Sequence, residues 1–289
     1  MAMQIVHYSD CGPVRPANQD AYCVFSADTA QGPVSMLAVC DGMGGLSSGE
    51  VASATVIRAF ADWFRLELPL LLQAGPLRAE PVSAGWNSVL RGCHARLRQA
   101  AAARQIRWGT TLSLVLLTAG EYYLLHVGDS RAYLDDGAAA LQLTPDQTLA
   151  MRELEAGRLS PADYAQDPRR NVLLQCIGDQ SVSPFFRVGE KPRSGAVLLC
   201  SDGFYHTVRP EELHAALAGP GTRADLQQQI WALAARARSL GETDNITAVA
   251  LRWDGAPAAR RATLSLGQVA APGGLECAAK VICINAEPV

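Results

Sequence analysis

With 289 residues, the chain has room for one large domain or for a domain plus a tail. Hydrophobic residues make up 49% and charged residues 18%, enough apolar material for a sizeable core, and the net charge of -3 argues against a strongly basic nucleic-acid surface. No apolar run reaches the roughly 18–20 residues of a membrane span, and residues 1–7 lack a basic stretch leading into an apolar one. A cytoplasmic protein without nucleic-acid or membrane partners is therefore expected.

In chain order, the first clear strand pattern is the apolar run 36–40, which stops at Asp41-Gly42 and reads as a strand meeting a turn. Ile57, Phe60, Ala61, Phe64 and Leu68 then recur at helical spacing. Trp86, Val89, Leu90, Cys93, Leu97 and Ala100 do so again, with Arg91, Arg96 and Arg98 off the stripe. Both stripes read as core faces. Residues 111–117 and 122–127 form a hairpin pattern, and 131–134 turns at Asp135-Asp136-Gly137 into 138–143. Residues 196–200 and 246–253 are later strands, and Leu226, Ile230, Leu233, Ala237 and Leu240 mark a third helix that Gly241 is placed to end. The strands are almost continuously apolar, as in sheets covered on both faces. Strands in clusters, with helices between the clusters, predict an α+β fold of stacked layers. From residue 255 the sequence turns rich in Ala, Gly and Pro and reads as a C-terminal tail, with order expected only over about 278–284.

The eight cysteines form no CxxC pair and have no histidine at finger-like spacing, so reduced thiols are expected rather than a zinc site. Cys40, Cys93 and Cys200 read as small core residues. His126 lies inside an apolar strand and reads as a core histidine.

Acidic residues recur where strands begin or stop: Asn18-Gln19-Asp20, Asp41-Gly42-Met43-Gly44-Gly45, Gly128-Asp129-Ser130-Arg131, Ser201-Asp202-Gly203 and Thr243-Asp244-Asn245. Hard cations such as Mg²⁺ and Mn²⁺ prefer carboxylate, carbonyl and water oxygens, and an aspartate on a rigid strand end is a short, well-aimed ligand. A glycine beside it keeps a Cβ out of the way of its carbonyl. One Asp-Gly is usually only a turn. Five such places in one chain point to a shared site.

Together with Gly12-Pro13-Val14-Arg15 and Gly109-Thr110-Thr111, these motifs stand in the order and at the spacing of the PP2C-type (PPM) protein phosphatases, which the chain resembles over about residues 5–253. The resemblance implies a four-layer α-β-β-α sandwich with a central pair of antiparallel sheets. It implies a phosphatase domain over 1–254, a flap at about 144–178 and a tail over 255–289. It implies two Mn²⁺ or Mg²⁺ ions with a third possible, phosphoserine or phosphothreonine proteins as substrates, a cognate Ser/Thr kinase, and a monomer. Asp41 would bridge the two metals with the Gly42 carbonyl completing one of them. Asp202 and Asp244 would hold the other, and Asp129 with Asp202 the third. Asp20 would orient metal waters from behind, and Arg15 would grip the phosphate through its planar fork. Two cations about 3.5–4 Å apart make a water nucleophilic near neutral pH, so no phospho-enzyme is implied.

Several positions depart from the family pattern. Met43 replaces the histidine of many eukaryotic members, which removes the obvious acid for the leaving alkoxide; His206 is a weak substitute and reads more simply as a packing residue. Gln19 stands where relatives often carry Glu, so it brings no charge to a metal water. Residues 148–156 look helical and 173–178 resemble the flap's return strand, but Gln147-Thr148 and Asp167-Pro168 replace the usual histidine pairs. Arg169 and Arg170 are a solvated pair or a contact to a phosphoprotein, and Arg260-Arg261-Ala262-Thr263 resembles a basophilic kinase site. Two other functions stay open: a weakly active phosphate-sensing regulatory module, and a hydrolase of small phosphomonoesters.

Overall fold

Strands β1 (Met3–Asp10), β2 (Asp20–Thr29) and β3 (Gly32–Met43) lead into helices α1 (Gly49–Asp62), α2 (Leu68–Ala74) and α3 (Ala79–Arg104). Then come β4 (Gly109–Thr110), β5 (Leu112–Leu117), β6 (Glu121–Val127), β7 (Arg131–Asp135) and β8 (Ala140–Gln142), followed by the short helices α4 (Leu149–Glu155) and α5 (Pro161–Tyr164). The chain closes with β9 (Phe185–Glu190), β10 (Gly195–Cys200), α6 (Asp202–Tyr205), α7 (Pro210–Ala218), α8 (Arg223–Ser239), β11 (Ile246–Trp253) and β12 (Ala279–Cys283). This computed structural model describes residues 3–44, 49–179, 181–219, 221–255, 277–286 and 289. Gly45 and Thr263 lie outside the described residues.

Five strands form one sheet in the order β1-β11-β10-β7-β8, and seven form the other, β12-β2-β3-β5-β6-β9 with β4 added to β3. Every pairing is antiparallel. Side-chain alternation sorts the apolar residues into layers. Tyr22, Val24, Val39, Val115, Leu124, Leu199, Val249 and Leu251 fill the space between the sheets. Their strand neighbours Ala21, Cys23, Phe25, Ala38 and Leu114 instead share a core with Ile57, Phe60, Trp86 and Leu97 of α1 and α3. Across the molecule, Leu198, Ala248 and Ala250 meet Leu213, Leu226 and Ile230 of α7 and α8. Both faces of both sheets are therefore covered, which is why the strands read as unbroken apolar runs. The architecture is the expected α-β-β-α sandwich.

Three local expectations are corrected. The run 57–68 is not one helix: α1 gives way to a π-helical turn, Trp63–Glu67, before α2. Pro69, in the first turn of α2, has no N–H to continue the α ladder there. Asp41 and Gly42 do not turn; β3 runs on through them, and Gly42 pairs with Thr110. Residues 173–178 are not a return strand. They make single bridges at their two ends, Leu173 to Thr148 and Ile177 to Thr110, because β4 offers only two residues to pair with. The C-terminal stretch expected to be ordered supplies β12, which pairs with β2 from Ser26 to Tyr22.

The β2–β3 hairpin aligns the two strands that carry Asp20 and Asp41. It turns through Ala30-Gln31 with Gly32 at φ 103, in the left-handed region that glycine favours. From Thr29 opposite Gly32, the register runs unbroken to Asp20 opposite Asp41. Among the described residues no helix is long and apolar enough to cross a membrane.

Candidate active site

The topology gathers the acidic motifs at one end of the sandwich. In the seven-stranded sheet, β2 begins at Asp20 directly across from Asp41 near the end of β3. In the five-stranded sheet, β10 ends at Cys200, level with Arg131 at the start of β7 and Ala248 near the start of β11. Asp202, Asp129 and Asp244 sit just outside those three strand ends. A hydrogen bond ties the two sheets together here: Ser201 Oγ donates to Asp20 Oδ2 at 2.8 Å. Residues 181 positions apart thus share one edge.

Electrostatics show how close the carboxylates are. Burial, then the neighbouring Asp20, Asp202, Asp129 and Asp244, push the Asp41 carboxyl well above the usual carboxylate range. Burial also lifts Asp129, helped by Asp202 and Asp146. Asp20 is pushed up to about 7, by burial first and by Asp202 and Asp244 in part, against the bonds from Thr247 and Ser201. Asp202 is raised as well, chiefly by burial, with His206 opposing. Two buried carboxylate oxygens, Asp20 Oδ1 and Asp202 Oδ1, have no hydrogen-bond partner. Orphaned acceptors inside a like-charged cluster are costly unless a cation meets them.

The cluster is not a closed chelate as it stands. Among the described residues no three His, Cys, Asp or Glu side chains are arranged to hold one ion. Asp244 is engaged elsewhere: Arg15 Nε donates to its Oδ1 at 2.9 Å and Arg15 Nη2 to its Oδ2 at 2.5 Å. Arg15 therefore does not stand ready as a phosphate clamp here; the fork that suits phosphate has taken the carboxylate beside it. The carbonyls and hydroxyls around Asp41 are firmly placed. Its N–H donates to Thr111 Oγ1, and its C=O accepts from the Thr110 hydroxyl and the Thr111 N–H, each at 2.9 Å.

Gly42 is held by a tighter constraint than the one its sequence suggests. Its N–H donates to the Gln19 carbonyl at 3.1 Å. A Cβ on Gly42 would fall inside contact distance of the carbonyl oxygens of Gly49 and Gln19. Gly42→Ala is therefore expected to destabilise the fold by about 2–3 kcal/mol in urea titrations run in EDTA. A loss under about 0.5 kcal/mol would mean the backbone at Gly42 yields easily.

The remaining candidate residues have settled partners. Gln19 points its amide to Glu50 Oε2 and the Gly44 carbonyl, at 3.3 and 3.5 Å. His126 is fully buried, with Nε2 at 3.0 and 2.9 Å from the carbonyls of Gly128 and Pro145, so that nitrogen carries the proton. Burial pushes its pKa down to about 4, and it is a core residue that pins the turn before Asp129. Arg169 is spent on Asp167. Arg170 instead bonds the Ala165 carbonyl at 2.7 Å and faces a cavity of about 150 Å³ shared with Arg131, Tyr164, Tyr205 and His206.

Three further residues support the site. Glu242 accepts the N–H groups of Thr243 and Asp244 at 2.8 and 2.9 Å and sits 3.2 Å from His206 Nδ1. Burial alone would raise Glu242, but these bonds together pull it down to about 2. Asn245 Oδ1 accepts the Gln19 N–H at 2.8 Å while its Nδ2 holds the Cys11 carbonyl at 2.7 Å, tying the Arg15 loop to the site. Arg131 grips Asp146 with both fork nitrogens, at 2.8 and 2.5 Å, and stacks 3.6 Å over Tyr205, anchoring the segment after residue 144. Proximity to Asp244 was the signal for Glu242 and Asn245; nothing local marks Asp146.

The profile of the family described as protein phosphatase 2C matches residues 15–235. The chain belongs to the protein phosphatase 2C family. Two relatives are a serine/threonine phosphatase stp of Listeria monocytogenes, 30% identical over 85% of this chain and 94% of that protein, and the serine/threonine protein phosphatase PstP of Mycobacterium tuberculosis, 32% identical over 83% of this chain. This chain spans only 43% of the length of the mycobacterial protein. A solved catalytic domain of a PstP, in complex with two manganese ions, superposes with a TM-score of 0.67 at 28% identity, covering 86% of this chain and 97% of its own. The fold seen here is thus shared with a solved serine/threonine phosphatase catalytic domain.

Proposed function

We propose that this protein is a metal-dependent phosphatase that hydrolyses phosphoserine and phosphothreonine in proteins, through the aspartates gathered at one end of the sandwich. The observation that carries the reading is the convergence of Asp20, Asp41, Asp129, Asp202 and Asp244, with two buried carboxylate oxygens left without a partner. The donor set suits Mn²⁺ or Mg²⁺. Asp41 would serve two such ions, the Gly42 carbonyl would help hold one of them, Asp202 and Asp244 would hold the other, and Asp129 with Asp202 would serve a third. When bound, the cations supply a nucleophilic water near neutral pH and offset charge on the phosphoryl group.

The chain's own residues do the rest. Thr110 and Thr111 fix the Asp41 backbone, Ser201 fixes Asp20, and Glu242 fixes the loop that carries Asp244. Arg15 must leave Asp244 before that carboxylate ligates, and the freed guanidinium can then take two phosphate oxygens. The domain is assigned to 1–254 with its flap at 144–178, substrates to a cognate Ser/Thr kinase, and the working form to a cytoplasmic monomer. Sedimentation at a mass well above 30.7 kDa would count against the last point.

Phosphate release from phosphothreonine peptides and from p-nitrophenyl phosphate tests the function. Mn²⁺-dependent, EDTA-sensitive release from both is expected. Release from the small ester alone would favour a small-molecule hydrolase, and release from neither, in any divalent metal, would leave a regulatory module.

A further inference from the structure

The family match ends at residue 235, yet the fold's last strand, β12, lies at Ala279–Cys283. Its partner is β2, the strand that begins with Asp20. The register runs from Ala279 opposite Ser26 to Cys283 opposite Tyr22, which brings the chain level with Asp20 just beyond the strand. There Asn285 Nδ2 donates to the Asp20 main-chain oxygen at 2.8 Å. Further on, the Val289 N–H donates to Thr55 Oγ1 of α1 at 3.0 Å. Ile282, Ile284 and Val289 pack on the core beneath the helices. Without β12, β2 would be the edge of its sheet, with its outward N–H and C=O groups unpaired.

The Asp20 carboxylate is held by its own bonds on one side only. Ser201 and Thr247 bond it, but its buried Oδ1 has no partner. The aim of this carboxylate therefore also depends on its backbone. That backbone is held by β3 on one side and by the β12 segment on the other.

We propose that β12 and Asn285 form a built-in brace for the metal site, which fixes Asp20 so that metal retention depends on a segment beyond the family match. The inference rests on the proposed metal site. Asn285 is a positioning residue: it acts through the Asp20 carbonyl and reaches no reacting atom. Supporting hydrogen bonds behind metal sites are typically worth about 10–100-fold in metal affinity.

Full-length Asn285→Ala and Asn285→Gln, stripped of metal, test this by calorimetric titration with Mn²⁺ alongside melting in EDTA. Asn285→Ala is expected to bind Mn²⁺ about tenfold more weakly than the parent while melting within about 2 °C of it, since one partly buried hydrogen bond contributes little to global stability. Asn285→Gln, which keeps the amide donor, is expected to recover most of that affinity. Amide exchange at residues 20–22 is expected to quicken in Asn285→Ala. Unchanged Mn²⁺ affinity in Asn285→Ala overturns the brace and leaves the metal reading standing. A weakened affinity that comes with a large fall in melting temperature, or that Asn285→Gln fails to recover, overturns it too. A parent protein that takes up no Mn²⁺ overturns the metal reading and the brace together.

Discussion

Asp202→Ala is expected to lower Mn²⁺-dependent phosphate release by on the order of a thousand-fold or more, because it removes a carboxylate shared by two of the assigned cation positions. The same change has an opposite effect on the metal-free fold. Asp202 is one of the charges that push Asp41, Asp20 and Asp129 up, so its loss relieves repulsion inside the cluster. In EDTA the variant is expected to melt at or above the parent temperature. Activity lost with stability kept separates a ligand from a packing residue. Release within tenfold of the parent would show that the metals lie elsewhere.

Saturating Mn²⁺ is expected to raise the parent's melting temperature by roughly 5–15 °C, the gain given by ligand at 100 to 1,000 times its Kd in a domain of this size. The gain is expected to be larger at pH 8 than at pH 5. Asp20, Asp41, Asp129 and Asp202 have folded pKa values raised above the unfolded 3.8, Asp20 to about 7. Between 3.8 and those values the folded state binds more protons than the unfolded one. Metal-free stability from this cluster therefore falls as pH rises above about 3.8, for Asp20 up to about 7. Below 3.8 both states are protonated and the effect vanishes. Cations replace those protons, so they contribute most where the protons have gone. Differential scanning fluorimetry at the two pH values checks the sign, and an equal or larger gain at pH 5 would contradict it.

The layers could be read in the sequence because the strands are nearly unbroken apolar runs, as covered sheets require, and because three helical stretches carry clean stripes. The aspartates could be read because each sits in a short motif tied to a strand end. What escaped was set by partners distant in sequence. Nothing around Arg15 announces that it will close on Asp244, 229 positions away. Order over 278–284 could be read, but nothing in Ala-Lys-Val-Ile-Cys, the five residues of β12, says that the strand will pair with β2 near the start of the chain. Glu242 follows the end of a charged helix and looks like surface, though it fastens the Asp244 loop. The π-helical turn at Trp63–Glu67 keeps the apolar spacing of a helix closely enough to hide itself.

The β2–β3 hairpin makes the acidic end hostage to its opposite pole. Asp20 faces Asp41 only because the register set at Ala30-Gln31 persists without a bulge to the far end, about 30 Å away at some 3.4 Å per residue. One residue added or removed at that turn would rotate Asp20 onto the other face of the sheet unless a bulge absorbed it. The turn touches no ligand, yet it is where insertions and deletions should be least tolerated.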